Sequence, residues 1–281
     1  MKRTQITILL VALLLICQSV MPAFAQDATT VYVTISDGEG KLVLSHAAVS
    51  VTDVDEDNQL TIHDTLYCAH EQYYPGGAQA GYLAETSAWG LSLMKLWGVE
   101  NGGSYGYYLN NASPQGLTDS VGDGDTVKAF VYTDTATFSD TFSYFDQDKI
   151  TLEEAGEVTL TLQSVSFDYE TFTPVVTPIA GAKIFVGGQD TGVVTDAAGQ
   201  CTIAVSTSCV ISAMSDTVTL VPPVCVVEMS SSEVQDETMP TSTPKATPKE
   251  ENGNGFLYVG IGAGVLVVVI VAVVLVVKTK K

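Results

Sequence analysis

The sequence predicts a mainly β protein with one short helix, and three patterns support this fold class. Apolar and polar residues alternate in many short segments, such as VYVTI at 31–35 and VTLTL at 158–162, as expected of half-buried strands. Only one strong helical pattern interrupts them, and it begins near residue 61. Beyond residue 150, glycine-rich turn signals separate the short apolar segments, which indicates an antiparallel β-sandwich.

The first 25 residues are predicted to be a secretory signal peptide. Lys2 and Arg3 precede the apolar run ITILLVALLLICQSV, and Ala23 and Ala25 give the small-x-small pattern of a cleavage site. A basic end, an apolar core and small residues, in this order, are typical of export signals. We therefore expect cleavage after Ala25 and an extracytoplasmic mature chain.

Two folded regions are predicted next, at 28–149 and 150–229, and the first contains an acidic loop with the spacing of a calcium site. Ca²⁺ takes about six to eight oxygen ligands, and a tight turn presents alternate side chains toward one point. Counted from Asp53, the residues at positions 1, 3, 5, 7, 9 and 12 of an EF-hand loop are Asp53, Asp55, Asp57, Gln59, Thr61 and Asp64. Position seven contributes its backbone carbonyl, and Leu60 at position eight anchors the loop to the core.

Two positions of this loop differ from the usual pattern. Position six is Asn58 rather than Gly, and Asn adopts the left-handed conformation more readily than other non-glycine residues. Position twelve is Asp64 rather than Glu. The segment DVDEDNQLTIHDTLYCAH resembles a dockerin repeat, which also ends in Asp and leads into a short helix. That resemblance implies calcium, but dockerins carry two repeats and this chain has one, so cohesin docking is not expected. The alternative is a chance cluster of acidic residues.

The helix that follows is predicted from Thr61 to about Tyr73, with two distinct faces. Its apolar face should pack on the sheet and comprises Ile62, Leu66, Ala69 and Tyr73. The neighbouring stripe comprises His63, Tyr67, His70 and Tyr74. This stripe is either a site for a planar ligand or a transition metal, or a partly buried aromatic shoulder without a ligand.

Residues 88–133 contain SAWGLSLMKLWGVENGGSYGYYLNN and, later, SVGDGDTVKAFVYT. This pattern resembles the domain shared by the C-terminal part of transcobalamin and many bacterial surface proteins. The resemblance implies a β-grasp fold for 28–149, with the order strand, strand, helix, strand, strand. Related modules bind soluble ligands, cobalamin among them.

Five aromatic residues are the candidate ligand contacts that this resemblance implies, because aromatic faces stack on a corrin ring or a sugar. They are Trp89, Trp97, Tyr105, Tyr107 and Tyr108. The alternative is that alternate members, such as Tyr105 and Tyr107, are part of the sheet core.

In the second region, TPIAGAKIFVGGQDTGVVTDAAGQCTIAV resembles the repeats of bacterial surface proteins related to collagen-adhesin B-type and carboxypeptidase-regulatory-like domains. This resemblance also implies a β-sandwich for 150–229. The mature chain has four cysteines, Cys68, Cys201, Cys209 and Cys225. Disulfides between 201 and 209 or between 209 and 225 are possible in an oxidising space, and small buried apolar residues are the alternative.

The C-terminal part is predicted to be an anchor. Residues 230–255 hold Ser, Thr, Pro, Glu and Lys with almost nothing apolar, which predicts a disordered stalk. The uncharged run 256–277 has 22 residues, enough to cross a hydrocarbon core about 30 Å thick. The basic tail 278–281 then lies in the cytoplasm and the rest of the mature chain lies outside, on what we expect to be a Gram-positive cell surface. Gly260 and Gly264 are either a weak helix-pairing face or the ordinary glycine content of a membrane helix.

Charge and residue types restrict the function. Between residues 26 and 255 there are seven lysines and 32 acidic residues, a net charge of −25. Nucleic acids and anionic membranes are poor partners for such a surface, whereas cations are good ones. The sequence has three histidines and contains neither a Cys-x-x-Cys pair, a nucleophile elbow nor a phosphate loop, so no catalytic site is predicted.

The sequence therefore predicts a membrane-anchored, calcium-stabilised, noncatalytic binding protein that recognises a protein or glycan at the cell surface. One alternative is the capture of a small ligand such as cobalamin or another tetrapyrrole. A second alternative is a structural protein of the envelope.

Overall fold

The computed structural model describes residues 29–88, 90–102, 104–168, 170–171 and 173–230. The predicted signal peptide, the predicted membrane helix and its basic tail, Trp89 and all but the first residue of the predicted stalk lie outside this part of the chain. The described residues form sixteen strands and two short helices, so the mainly β class is confirmed. No helix within these ranges is long and apolar enough to cross a bilayer.

The first region is built on a four-stranded sheet. Its elements are β1 (Thr29–Ser36), β2 (Leu42–Val51), α1 (Ile62–Tyr73), α2 (Gly77–Gly81), β3 (Leu83–Ser87), β4 (Gly90–Lys95), β5 (Tyr105–Leu109) and β6 (Thr126–Val131). The strand order is β2-β1-β6-β5, and β3 pairs with β4 separately. The central strands β1 and β6 are parallel, which requires a crossover connection, whereas the two outer pairs are antiparallel.

Helix α1 packs on one face of this sheet. Ile62, Leu66 and Ala69 are fully buried in a core that they share with the strands, as their spacing predicts. Tyr73, the fourth residue of the predicted apolar face, is 44% exposed. Its hydroxyl donates a hydrogen bond to the Ala48 carbonyl at 2.7 Å, so it reaches the edge of the sheet rather than the core.

Strand β6 is buried on both of its faces. Its odd-numbered residues, such as Val127, belong to the core beneath α1. Phe130 lies on the other face, in a cluster with Phe142 and Val221 of the second region. The second region therefore covers the face of the sheet that α1 leaves free.

The second region consists of two five-stranded sheets. Its elements are β7 (Thr141–Phe145), β8 (Lys149–Leu152), β9 (Gly156–Asp168), β10 (Thr173–Pro178), β11 (Lys183–Val186), β12 (Gln189–Val194), β13 (Gln200–Val205), β14 (Cys209–Met214), β15 (Leu220–Val221) and β16 (Cys225–Met229). One sheet has the order β10-β9-β7-β15, with β13 also paired to β9, and the other has the order β12-β11-β14-β16-β8. Inward-facing residues of both sheets share one core, the arrangement of two packed sheets.

Two pairings differ from the predicted antiparallel pattern. β15 runs parallel to β7, and β16 runs parallel to β8. Each pair joins segments that are distant in sequence, so no short hairpin dictates their direction. Because β7 and β8 pair with strands of these sheets, the second region begins at Thr141 when it is defined by strand pairing. The predicted boundary at residue 150 falls inside β8. All described residues belong to one compact unit.

The four described cysteines are free. Cys68, Cys201 and Cys225 are buried in the two cores, and Cys209 is half-buried. They therefore pack as small apolar residues, which is the second of the two possibilities that the sequence allows.

Candidate functional site: an acidic loop beside a polar cleft

The acidic loop connects β2 to α1 and brings three of the predicted ligands together. Carboxylate oxygens of Asp53, Asp55 and Asp57 lie within 4.8 Å of one another. Asp53 is half-buried, and the other two are exposed. Oxygen atoms at this spacing are suitable ligands for a hard divalent cation such as Ca²⁺.

Hydrogen bonds within the loop fix its curvature. The two carboxylate oxygens of Asp53 accept the backbone N–H groups of Asp57 at 3.2 Å and Asn58 at 2.7 Å. Asp57 accepts the N–H of Gln59 at 2.8 Å. Asn58 has φ = 68° and Glu56 has φ = 60°, so position six adopts the left-handed conformation that Asn permits.

The charges of the loop favour a bound cation. The pKa of Asp55 is raised, first by loss of solvent contact and then by the neighbouring carboxylates of Asp57 and Asp64. Like charges at short range disfavour ionisation, and a cation between them removes this repulsion.

Asp64, the predicted ligand at position twelve, is not among these three carboxylates. Together with Thr61, the predicted ligand at position nine, it forms a capping box at the start of α1. One Asp64 oxygen accepts the N–H of Thr61 at 2.9 Å and its hydroxyl at 2.7 Å, and the other accepts the N–H of Val54 at 2.8 Å. Asp64 is fully buried, so its carboxylate stabilises the helix start. Gln59 is exposed.

The start of α1 also holds a second segment of the chain in place. We define the wall segment as residues 117–121. The N–H groups of Ile62 and His63, which have no partner within the helix, donate to the carbonyls of Asp119 at 3.0 Å and Leu117 at 2.9 Å. In addition, Val121 N–H donates to the Leu60 carbonyl at 2.8 Å. With the bond between Ile62 and Asp119, it pairs Thr61 with Ser120 as an antiparallel β-bridge.

The wall segment forms one side of a cavity of about 470 Å³, which we call the cleft. The wall segment contributes residues 117–119. The other sides are residues 90–93 of β4 and Tyr105 and Tyr107 of β5, and Gln115 and Gly116 complete the lining. The lining residues with polar side chains include Gln115, Asp119 and Tyr107, and one Asp119 carboxylate oxygen accepts the Gln115 backbone N–H at 2.9 Å. Burial, and then the Asp119 carboxylate, raises the pKa of Tyr107, so its hydroxyl stays protonated and able to donate.

The aromatic residues that were predicted to contact a ligand do not all lie together in the structure. Tyr105 and Tyr107 line the cleft and also pack against the core beneath α1. Tyr108 lies on the opposite face of β5, because neighbouring strand residues point in opposite directions. Its ring stacks on Phe142 with centroids 3.5 Å apart. Trp97 packs on His70 with centroids 5.2 Å apart, and Trp89 lies outside the described residues.

The histidine and tyrosine stripe of α1 is held by internal contacts. His70 is fully buried, its Nδ1 lies 2.6 Å from the Leu66 carbonyl, and its Nε2 accepts the backbone N–H of Trp97 at 2.9 Å. Burial lowers the pKa of His70 to about 4. His63 Nδ1 lies 2.8 Å from the Tyr82 hydroxyl. These contacts favour the aromatic shoulder over a metal site.

A larger groove of about 840 Å³ lies between the β1–β2 turn and strands β11 and β14. Its lining includes Phe185, Met214 and Val218, so it offers mainly apolar contacts. No pattern in the sequence predicts this groove, because its two sides are distant in the chain. The cleft is the stronger candidate site, since it combines polar groups with a direct connection to the acidic loop.

Comparisons of the chain with protein-family models, with curated proteins and with solved structures find no match. The resemblances described above therefore remain predictions.

Proposed function

We propose that this chain is a membrane-anchored, extracytoplasmic and noncatalytic binding protein that holds a glycan in its cleft and is stabilised by Ca²⁺ in the acidic loop. Asp53, Asp55 and Asp57 supply the side-chain ligands, and backbone carbonyls or water complete the coordination. The strand order β2-β1-β6-β5 with α1 on one face supports a β-grasp-type first region, and the two sheets that share a core support a sandwich for the second.

One observation carries this proposal: the wall segment joins the acidic loop to the cleft. Three backbone hydrogen bonds connect the end of the loop and the first turn of α1 to residues 117–121. The same segment supplies Leu117, Thr118 and Asp119 to the cleft. A cation that orders the loop therefore also orders one wall of the binding site.

The chemistry of the cleft favours a sugar over a tetrapyrrole. Small-molecule sites have volumes of about 300–1,000 Å³, and the cleft, at about 470 Å³, lies in the lower half of that range. Hydroxyl, amide and carboxylate groups of Ser92, Gln115 and Asp119 suit the hydroxyls of a sugar. The rings of Tyr105 and Tyr107 supply the apolar surface on which a sugar ring stacks.

Calcium binding is tested on residues 29–230 by calorimetric titration and by thermal unfolding with and without Ca²⁺. We expect Ca²⁺ to raise the Tm of the wild type and to have no effect on the triple variant Asp53→Asn, Asp55→Asn, Asp57→Asn. The matched control changes Glu153, Glu154 and Glu157 to Gln, which removes the same three charges from another exposed site. Loss of the calcium response in both variants, or no response in the wild type, would contradict the assignment.

Ligand binding is tested on a glycan array with the wild type and the Tyr107→Ala variant, each with Ca²⁺ and with a chelator. We expect binding that needs both Tyr107 and Ca²⁺. Binding of a coloured tetrapyrrole, detected by its absorbance, would instead support the alternative of small-ligand capture. If Ca²⁺ alone shifts the Tm, the alternative of a structural envelope protein is favoured.

A further inference from the structure

A buried lysine lies between a carboxamide and a carboxylate on the outer face of β6. Lys128 is 6% exposed. Its Nζ lies 2.7 Å from Asn111 Oδ1 and 2.6 Å from Asp148 Oδ1. An amine, an acyl group and a proton acceptor therefore meet in a place that bulk water hardly reaches.

The chain fixes the carboxamide by a tight turn. Asn110 and Asn111 have φ values of 50° and 61°, and two hydrogen bonds of 3.0 and 2.9 Å join Leu109 and Ala112 around them. Two central residues with positive φ are the mark of a type I′ turn, for which Asn is well suited. The Asn110 side chain is also tied to β6, since its Oδ1 accepts the Thr126 N–H at 2.9 Å.

The second region supplies the carboxylate and closes the site. Asp148 lies between β7 and β8, its side chain is 19% exposed, and its backbone carbonyl accepts the Val226 N–H at 2.8 Å. The ring of Tyr144 lies 5.7 Å from Lys128 Nζ. These contacts hold Asp148 against the amine and exclude water, which would compete as a nucleophile.

Burial also favours the reactive form of the lysine. It lowers the pKa of Lys128, although the Asp148 carboxylate opposes this shift. In a site of low polarity, a proton moves from an ammonium to a neighbouring carboxylate more readily than in water, because both products are neutral. The neutral amine is the nucleophile.

We propose that Lys128 and Asn111 form an intramolecular isopeptide bond. Asp148 accepts a proton from Lys128 Nζ, and the neutral amine attacks Cγ of Asn111. The new Nζ–Cγ bond forms, the Cγ–Nδ2 bond breaks, and a proton relayed from Nζ by Asp148 lets Nδ2 leave as ammonia. Lysine amine and asparagine amide thus become a secondary amide and ammonia, with neither oxidation nor a co-reactant.

Asn111 is a better acyl partner than Asp148, although both touch the amine. A carboxylate is negatively charged, so it repels a nucleophile, and its leaving group would be an oxide ion. A carboxamide is neutral, and its leaving group is ammonia. Holding the groups in contact also removes the entropic cost of their encounter, which is a large part of the barrier for such reactions.

The bond is tested by peptide mapping of the purified full-length chain. Trypsin cleaves after lysine, and the intervals 96–128 and 129–149 contain no lysine or arginine before their last residue. A crosslinked Lys128 resists cleavage. We therefore expect one peptide, 96–149, whose mass is lower than that of its sequence by one ammonia. In tandem mass spectrometry, a single backbone cleavage between residues 111 and 128 should release no fragment, because the crosslink still joins the two parts.

Three results would overturn the proposal. Peptides of unmodified mass mean that no bond forms. A loss of water rather than ammonia places the bond on Asp148. A peptide 96–128 that lacks one ammonia but was cleaved after Lys128 indicates a succinimide at an asparagine, since that product leaves the lysine free.

Two variants identify the acyl partner of Lys128. Asn111→Ala removes the acyl group and keeps the Lys128–Asp148 pair, so cleavage after Lys128 should return. Asn101→Ala is the matched control, because Asn101 lies in the same peptide and its side chain bonds only within its own turn, to Ser104. It should leave the 96–149 peptide unchanged. Loss of the crosslink in both variants, or in neither, contradicts the assignment to Asn111.

Discussion

Acidification should destabilise the first region through His70. This side chain is fully buried in α1. Its two ring nitrogens have different roles, because Nδ1 donates to the Leu66 carbonyl and Nε2 accepts the backbone N–H of Trp97. A second proton on the imidazole would lie on Nε2 and point at the Trp97 N–H, which would replace a hydrogen bond by repulsion between two donors. The folded state therefore needs the neutral imidazole.

The magnitude follows from the pKa of His70, which burial lowers from 6.5 to about 4. Between these values the unfolded chain binds a proton that the folded chain does not, so the free energy of unfolding falls as the pH falls. With about 1.4 kcal/mol per pKa unit, the loss is about 2 kcal/mol between pH 7 and pH 5 and about 3 kcal/mol once the pH is below 4.

Urea unfolding of the wild type and of His70→Gln at pH 7 and pH 5 measures this effect. Gln cannot reproduce both hydrogen bonds, so the variant should be less stable at pH 7. Its further loss at pH 5 should, however, be smaller than that of the wild type by about 2 kcal/mol. The pKa of His46 is also lowered, but this contribution is common to both proteins and cancels. Equal losses in the two proteins would refute the reasoning.

Two further substitutions test packing around the site. Thr61→Ala removes the capping hydroxyl and one donor to the buried Asp64, so the free energy of unfolding should fall by about 1–2 kcal/mol in urea. Gly106→Ala should lower the Tm strongly, because a methyl group there overlaps the ring of Phe130. Gly156→Ala, where a methyl group meets its first neighbour at an ordinary 3.8 Å, is the tolerated control. Similar Tm values for the two alanine variants would contradict the overlap.

Local sequence patterns predicted the local structure well. The alternation at 31–35 and the helical spacing after residue 61 place these segments correctly, because one buried face determines each pattern. The left-handed conformation of Asn58 also follows from its residue type and its position in the loop. Each of these predictions depends on neighbours within about one turn or strand.

The role of Asp64 was harder to predict, because two patterns share the same letters. Thr61 and Asp64 occupy positions nine and twelve of a calcium loop, and they also have the spacing of a capping box. The structure shows the capping contacts and buries Asp64, which is not in the group of three carboxylates. Only the three-dimensional path of the loop distinguishes these possibilities.

Contacts between segments that are distant in the chain were a second feature that the sequence did not predict. Lys128 alternates with apolar residues in β6, so its sequence pattern indicates an exposed side chain. The second region covers that face of the sheet and buries it. Likewise, Tyr108 could not be assigned to the interface, because Phe142 reaches it from another sheet.

The burial of β6 on both faces has a consequence for how the molecule comes apart. A strand that belongs to only one core can be released when that core opens. β6 contributes to the core under α1 and to the cluster with Phe142 and Val221, so exposing its amides requires both to separate. Hydrogen exchange in this strand should therefore approach the rate set by global unfolding, and the two regions should melt in a single cooperative step rather than one after the other.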